Sequence, residues 1–218
     1  MQATRIIAIR HGETAWNVGM RLQGHTDIGL NARGEWQAQR VAQALAEETI
    51  DAIYSSDLSR AHATAQAIAQ RNTSLANKTV ATHQGLRERG FGSFEGSSFV
   101  EIESRWPDAS ARWRRRDLDF APGGGETLGV FYARCVGAAS RIAAAHPGEA
   151  IALVAHGGVL DCLYRAASHI ALDAPRSWEV GNATINRLLY TPQGFTLIGW
   201  GDSFHLEGET ASSATVET

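Results

Sequence analysis

The sequence predicts an α/β fold, a three-layer α/β/α sandwich around a mainly parallel sheet. Three observations lead there. Short strands that are apolar on both faces recur, as in TRIIAI (residues 4–9) and AIALVA (150–155). That pattern marks central parallel strands covered on two sides. Segments with helical apolar periodicity alternate with these strands. Both strands also run into His-Gly, at His11-Gly12 and His156-Gly157. In open α/β sheets, ligands bind beyond the carboxyl ends of the strands.

Each element follows from its own local pattern. Thr4 to Ile9 is the first strand. A helix starts after Asn31, a good N-cap residue, with Ala38, Val41, Ala42 and Leu45 on one face. Ala52 to Ser55 forms a second strand, and the next helix carries the stripe Leu58, Ala61, Ala65, Ile68. Lys78 to Thr82 is expected as a third strand. The glycine-rich GLRERGFGSFEGSS, 85–98, is too broken for a regular element. Short helices with a break at Pro107 are expected over 99–116. GGGET then turns into a long helix from about Glu126 to His146, with Leu128, Phe131, Cys135, Ala139 and Ile142 facing the core. After Ala150 to Ala155 comes another helix. Two late strands, about Thr184 to Tyr190 and Phe195 to Trp200, flank a turn at Pro192 to Gly194. The expected organisation is a single domain over 1–205 with a short cap insertion at about 97–125. The polar stretch 206–218 is expected to be a disordered tail.

Composition narrows the function classes. The 218-residue chain has 20 Lys and Arg against 23 Asp and Glu, a net charge of −3. That balance argues against nucleic acid or an anionic membrane as partner. RWRRR (112–116), close to Trp106 and inclusive of Trp113, is a single basic patch and a weak footprint. It reads as a solvated helix face, from which one or two arginines could reach a pocket rim. Cys135 and Cys162 lie in apolar, helix-like surroundings and read as reduced core thiols of a cytoplasmic protein. The apolar block Ile6 to Ile9 is too short for a signal peptide, and no run approaches the ~20 residues of a membrane span. No metal site is expected: His11 and His156 sit on separate strands without a Cys, Asp or Glu cluster beside them. GGGET is not a phosphate loop, because no Gly-Lys-Ser/Thr follows.

A lone histidine at a strand end is ordinarily structural. Two matched sites, one preceded by Arg10 on an apolar strand, are harder to explain that way, because a buried guanidinium without an anion is costly. RHGETAWN (10–17) resembles the signature of the histidine phosphatase superfamily, the phosphoglycerate mutase-like proteins. RLQGHTDIGLNARG (21–34), SSDLSRAHATA (55–65), LRERGFGSFEG (86–96), AHGG (155–158) and NAT (182–184) are similar to further segments of that family, in order along the chain.

The resemblance implies a phosphoglycerate mutase-like fold and phosphoryl transfer without metal or other cofactor. It implies that His11 attacks phosphorus and becomes a phosphohistidine. Neutral imidazole suits this role, since its ordinary pKa is ~6.5. Arg10 and Arg60 are implied as a permanently charged clamp on the phosphoryl oxygens, with His156 as a third contact. Glu88 is implied as the acid for the leaving alkoxide and then the base for water; Glu13 and Glu95 are competing carboxylates. Asn17, Gln23 and Gly24 are implied phosphoryl contacts, Thr14 caps or orients their loop, and Gly157 lets a ligand approach the backbone. Asn182 and Thr184 carry weaker implications. The substrate is expected to be a small phosphorylated metabolite, and monomer and homodimer stay open. The short stretch between Glu88 and His156, and the LQGHTD loop, resemble the phosphatase branch. A mutase with the same nucleophile is the alternative, and a non-catalytic phosphate-binding protein ranks below both.

Overall fold

The computed structural model describes residues 2–207. Six strands form one sheet: β1 (Thr4–Arg10), β2 (Ala52–Ser55), β3 (Ala81–Thr82), β4 (Ala150–Ala155), β5 (Ile185–Thr191) and β6 (Gly194–Asp202). Their spatial order is β3-β2-β4-β1-β5-β6. The first four in that order run parallel; β5 pairs antiparallel with both β1 and β6. The helices are α1 (Ala15–Val18), α2 (Ala32–Ala44), α3 (Ser59–Arg71), α4 (Phe99–Arg105), α5 (Pro107–Arg114), α6 (Leu128–Ala144) and α7 (Gly157–Ser168).

Strand alternation divides the core in two. Ile6 and Ala8 face a cluster with Leu128, Phe131 and Cys135 of α6 and Val159 and Leu163 of α7. Ile7 and Ile9 face the other way, into Ala38 and Val41 of α2 and Ala61, Ala65 and Ile68 of α3. Two helices therefore cover each face, which is why the central strands read as continuous apolar runs. The predicted helix stripes are all buried. Asn31 caps α2, its side chain accepting from the Gly34 amide at 2.8 Å. Cys135 and Cys162 are buried free thiols.

A third, smaller cluster holds the segment between β3 and α6. Leu22, Phe94, Ile102 and Phe120 form its centre. Trp113 stacks on Phe91 and Phe94, and Trp106 on Phe94. The two tryptophans beside the arginine run are thus packing groups of the cap.

Two boundaries differ from expectation. The third strand is only two residues, Ala81–Thr82, both exposed. It is an edge strand whose ladder with β2 covers just Tyr54 and Ser55; Ala52 and Ile53 at the start of β2 pair only with β4, and Lys78 to Val80 stay outside the ladder. Leu206, predicted to begin a tail, ends a 3-10 turn, Phe204–Leu206; 208–218 lie outside the described residues. Among the described residues, no helix is long and apolar enough to cross a membrane.

Candidate active site

The register of the sheet assembles the site. β1 and β4 are adjacent and parallel, with Arg10 level with Ala155. One step further along both strands places His11 beside His156. The His11 amide donates to the Ala155 carbonyl at 3.0 Å, and the two imidazole rings meet edge-on with centroids 5.1 Å apart. β2 lies on the far side of β4, and the turn after it delivers Arg60 in the first turn of α3. A cleft of ≈ 270 Å³ is lined by Arg10, His11, Asn17, Gln23, Arg60, Glu88 and Gly157, with Gly158, Arg176 and Val180 among its other walls.

The strand-to-helix connection after His11 depends on a close backbone approach. A Cβ on Gly12 would stand 2.4 Å from the Gly34 carbonyl oxygen, so glycine lets the chain leave β1 against the first turn of α2.

Charge and hydrogen bonding fix the state of the two imidazoles. His11 Nδ1 lies 2.7 Å from the Gly12 carbonyl, which can only accept; Nδ1 therefore carries the proton. Burial holds the His11 pKa well below its ordinary 6.5, with Arg10 and Arg60 adding to the effect. The ring is neutral at pH 7, and Nε2 keeps its lone pair. His156 is also held well below 6.5, by burial first and then by Arg60, His11 and Arg10. A protonated His156 requires a bound dianion to offset these effects.

The arginines are anchored at one side and free at the other. Arg60 is fully buried. Its Nη1 donates to the Thr26 carbonyl at 3.0 Å and its Nη2 to the Gly24 carbonyl at 2.9 Å. Arg10 Nη1 donates to the Val180 carbonyl. Among the described residues, Arg10 Nε, Arg60 Nε and both ring nitrogens of His156 are buried without a hydrogen-bond partner. Burial lowers both arginine pKa values, and the nearby Glu88 charge works in the opposite direction. Buried polar groups are ordinarily satisfied. Arg10 and Arg60 line the hollow at the N-terminus of α7, an arrangement suited to an oxyanion, whereas His156 is fully buried against the His11 ring and is not among the walls of the cleft.

Glu88 faces this hollow from the glycine-rich loop. Its Oε1 accepts from the Arg89 amide at 2.8 Å and its Oε2 from the Gly158 amide at 3.0 Å. The competing carboxylates do not line the cleft. Glu13 accepts from Asn31 Nδ2 at 2.9 Å. Burial would raise the Glu95 pKa, but its carboxylate accepts from the Thr26 hydroxyl and from the amides of His25, Phe91 and Thr26, which together hold it down.

Not every predicted contact is at the wall. Asn17 and Gln23 line the cleft, and Gln23 Oε1 is buried without a partner among the described residues. Thr14 is fully buried but turned inward: it caps α1, exchanging hydrogen bonds with Asn17. Gly24 acts through its carbonyl on Arg60, with φ of +54°. Asn182 Nδ2 donates to the His11 carbonyl at 3.0 Å, bracing the backbone at that residue, whereas Thr184 bonds to the Gly181 carbonyl.

Sequence reasoning passed over Arg134. Its guanidinium forks onto the Glu126 carboxylate and also donates to the carbonyls of Gly85, Arg87 and Glu88. It pegs the loop that carries Glu88 to α6. Its position off the apolar stripe of α6 was the available signal. Arg176 and Val180, from the loop after α7, have no comparable pattern in the sequence. Among the described residues, no three His, Cys, Asp or Glu side chains are grouped to hold a metal ion.

Paired strand-end histidines inside an arginine clamp, on a mainly parallel sheet, define an α/β protein with an oxyanion site. The chain belongs to the histidine phosphatase superfamily (branch 1), whose profile matches residues 6–203. It is 42% identical over 206 residues to phosphoglycerate mutase-like protein 4 of Arabidopsis thaliana, covering 93% of this chain and 86% of that one. It is 35% identical over 208 residues to the metal-independent phosphoserine phosphatase of the same plant, covering 94% and 84%. Among solved structures, YhfR of Bacillus stearothermophilus superposes with a TM-score of 0.83 at 29% identity, over 94% of this chain and all of that one.

Proposed function

We propose that the protein is a phosphomonoesterase that works through a phosphohistidine on His11. The carrying observation is that Arg10, His11 and Arg60 line one cleft, with buried, unpartnered nitrogens on both arginines and on His156, whose ring lies edge-on against that of His11. Arg10, Arg60 and His156 hold the equatorial phosphoryl oxygens, with Asn17 and Gln23 completing the contacts. His11 Nε2 attacks phosphorus; the N–P bond forms as the ester P–O bond breaks. Protonated Glu88 gives its proton to the leaving alkoxide, so a neutral alcohol departs. Water then attacks phosphorus, Glu88 takes its proton, and the N–P bond breaks to release phosphate. The chemistry is positioning and charge stabilisation; the clamp presents fixed donors where negative charge is held. The substrate in this reading is a small phosphorylated metabolite, in a cytoplasmic setting.

A second reading has one favouring observation, the 42% identity to a protein named as phosphoglycerate mutase-like. A mutase shares the first half-reaction and returns the phosphoryl group to another hydroxyl in place of water. One experiment separates the readings. A panel of phosphomonoesters is assayed for released phosphate, and 3-phosphoglycerate with 2,3-bisphosphoglycerate is assayed for isomerisation. Phosphate release faster than isomerisation is expected; the reverse order establishes the mutase. Acid quench after mixing with a labelled ester should trap an acid-labile, base-stable label on the wild type and none on His11→Ala. A wild type that neither takes up label nor releases phosphate would be a binding protein.

A further inference from the structure

A second recess of ≈ 180 Å³ opens beside the phosphoryl cleft, sharing Glu88, Phe91, Gly158 and Arg176 with it. Its other walls include Arg89, Arg116, Trp113 and Asp161. We propose that this recess is the leaving-group subsite, that Asp161 reads a hydroxyl there, and that the preferred substrates are phosphomonoesters of hydroxylated, non-cationic alcohols. The proposal rests on the phosphatase reading above and names the substrate class for it.

The position follows from α7. Gly158 contacts Glu88, the proposed proton donor to the leaving oxygen. Asp161 is three residues on, so it lies on the same helix face about one turn further, some 4.5 Å along the axis. A leaving group anchored at Glu88 and extending along that face runs toward Asp161, which lines the same recess.

The chemistry follows from the hydrogen bonds. Asp161 is 6% exposed. Its Oδ2 accepts from Arg165 Nε at 3.0 Å and from Arg116 Nη2 at 3.2 Å. Its Oδ1 is buried with no partner among the described residues. One carboxylate oxygen is therefore pinned by two guanidiniums, and the other is an unused acceptor. Arg116 is held for this contact at a backbone cost, with φ of +53°, in the left-handed region that side chains disfavour. A second bond, from its Nε to the Leu172 carbonyl at 2.7 Å, fixes its direction. The other arginines of the run face outward: Arg112 pairs with Asp117 and Arg114 with Glu103, both at the surface.

The sign of the charge selects among donors. Arg89, Arg116 and Arg176 line the recess, against the carboxylates of Glu88 and Asp161, and the buried Arg165 pairs with Asp161. Arg89 is buried with its Nε and Nη2 given to the carbonyls of Glu126 and Phe120, and burial lowers its pKa to about 10. It stays cationic at pH 7. A cationic leaving group meets net repulsion, whereas a hydroxyl can donate to Asp161 Oδ1 without adding positive charge.

The test compares kcat/KM for three esters of similar size: n-propyl phosphate, glycerol 3-phosphate and 3-aminopropyl phosphate. Wild type should prefer glycerol 3-phosphate over n-propyl phosphate by about tenfold or more, the value of one hydrogen bond to a buried charged acceptor. 3-Aminopropyl phosphate should be the poorest. In Asp161→Asn, Arg116 and Arg165 hold the amide oxygen in the Oδ2 position, which turns NH2 toward the Oδ1 position. The acceptor becomes a donor, and the glycerol preference should collapse toward one. A wild-type ratio near one, a preference for the amine, or an unchanged ratio in folded Asp161→Asn would overturn the proposal. If that variant does not fold, the wild-type ranking decides alone. Absence of phosphate release from these esters and from p-nitrophenyl phosphate would instead remove the phosphatase reading itself.

Discussion

His11 reaches the cleft as a neutral ring with its tautomer set by the Gly12 carbonyl, and that has a consequence for stability. Burial holds the pKa values of His11 and His156 well below 6.5 in the folded state. His205 is lowered in the same sense. For a base with a depressed folded pKa, the folded state is fully favoured above the unfolded value and loses ground as pH falls through it. Melts of the ligand-free protein should therefore show a falling Tm as pH is taken from about 7.5 to 5.5. Inorganic phosphate should restore part of the loss, because a bound anion favours the protonated ring. A flat Tm across that window would contradict the neutral buried pair. At Gly158, a Cβ would stand 2.2 Å from Glu88 Oε1. Gly158→Ala should displace the carboxyl and slow alkyl phosphates by roughly 10²-fold, with a smaller effect on p-nitrophenyl phosphate, whose leaving group needs no proton. Equal slowing of both would argue against Glu88 as the acid.

Among the elements, α2 shows how one cap ties a helix to the site. Asn31 accepts from the Gly34 amide and donates to Glu13 Oε1, joining the loop after His11 to the helix start. Asn31→Ala should cost about 1–2 kcal/mol, a Tm drop of roughly 2–8 °C by calorimetry for a domain of this size. The helices were legible in the sequence because their apolar stripes and caps are local patterns: Asn31, and the Leu128 to Ile142 stripe, state both a boundary and a buried face. The strand ends were legible because His-Gly twice interrupts an apolar run. β3 was overestimated because Lys78 to Val80 look extended, while an edge strand lasts only as long as it stays in register with its single neighbour, here Tyr54 and Ser55 of β2. The Arg134 peg, the Val180 anchor and the Arg116–Asp161 contact were not legible. Each joins segments whose nearness is created only by packing across the sheet.

At the scale of the whole molecule, crossovers between non-sequential strands gather residues 10, 11, 60, 88 and 156 beyond the carboxyl ends of the parallel strands. The proposed phosphoryl contacts ride on β1, β4 and the turn after β2, whose flanking apolar residues belong to the two large core clusters. Phe91 and Trp113, which line the second recess, pack instead with the third cluster. A chimera carrying another family member's 97–125 segment should keep forming the labelled His11 intermediate while its ranking of alcohols changes; loss of labelling in a folded chimera would show that the two are coupled. The aromatic stack of Trp113 on Phe91 and Phe94 is then a seam in the molecule. On one side of it the central ladder would hold the proposed phosphoryl site rigid, and on the other the repacking of a few rings would be enough to change which alcohols are accepted.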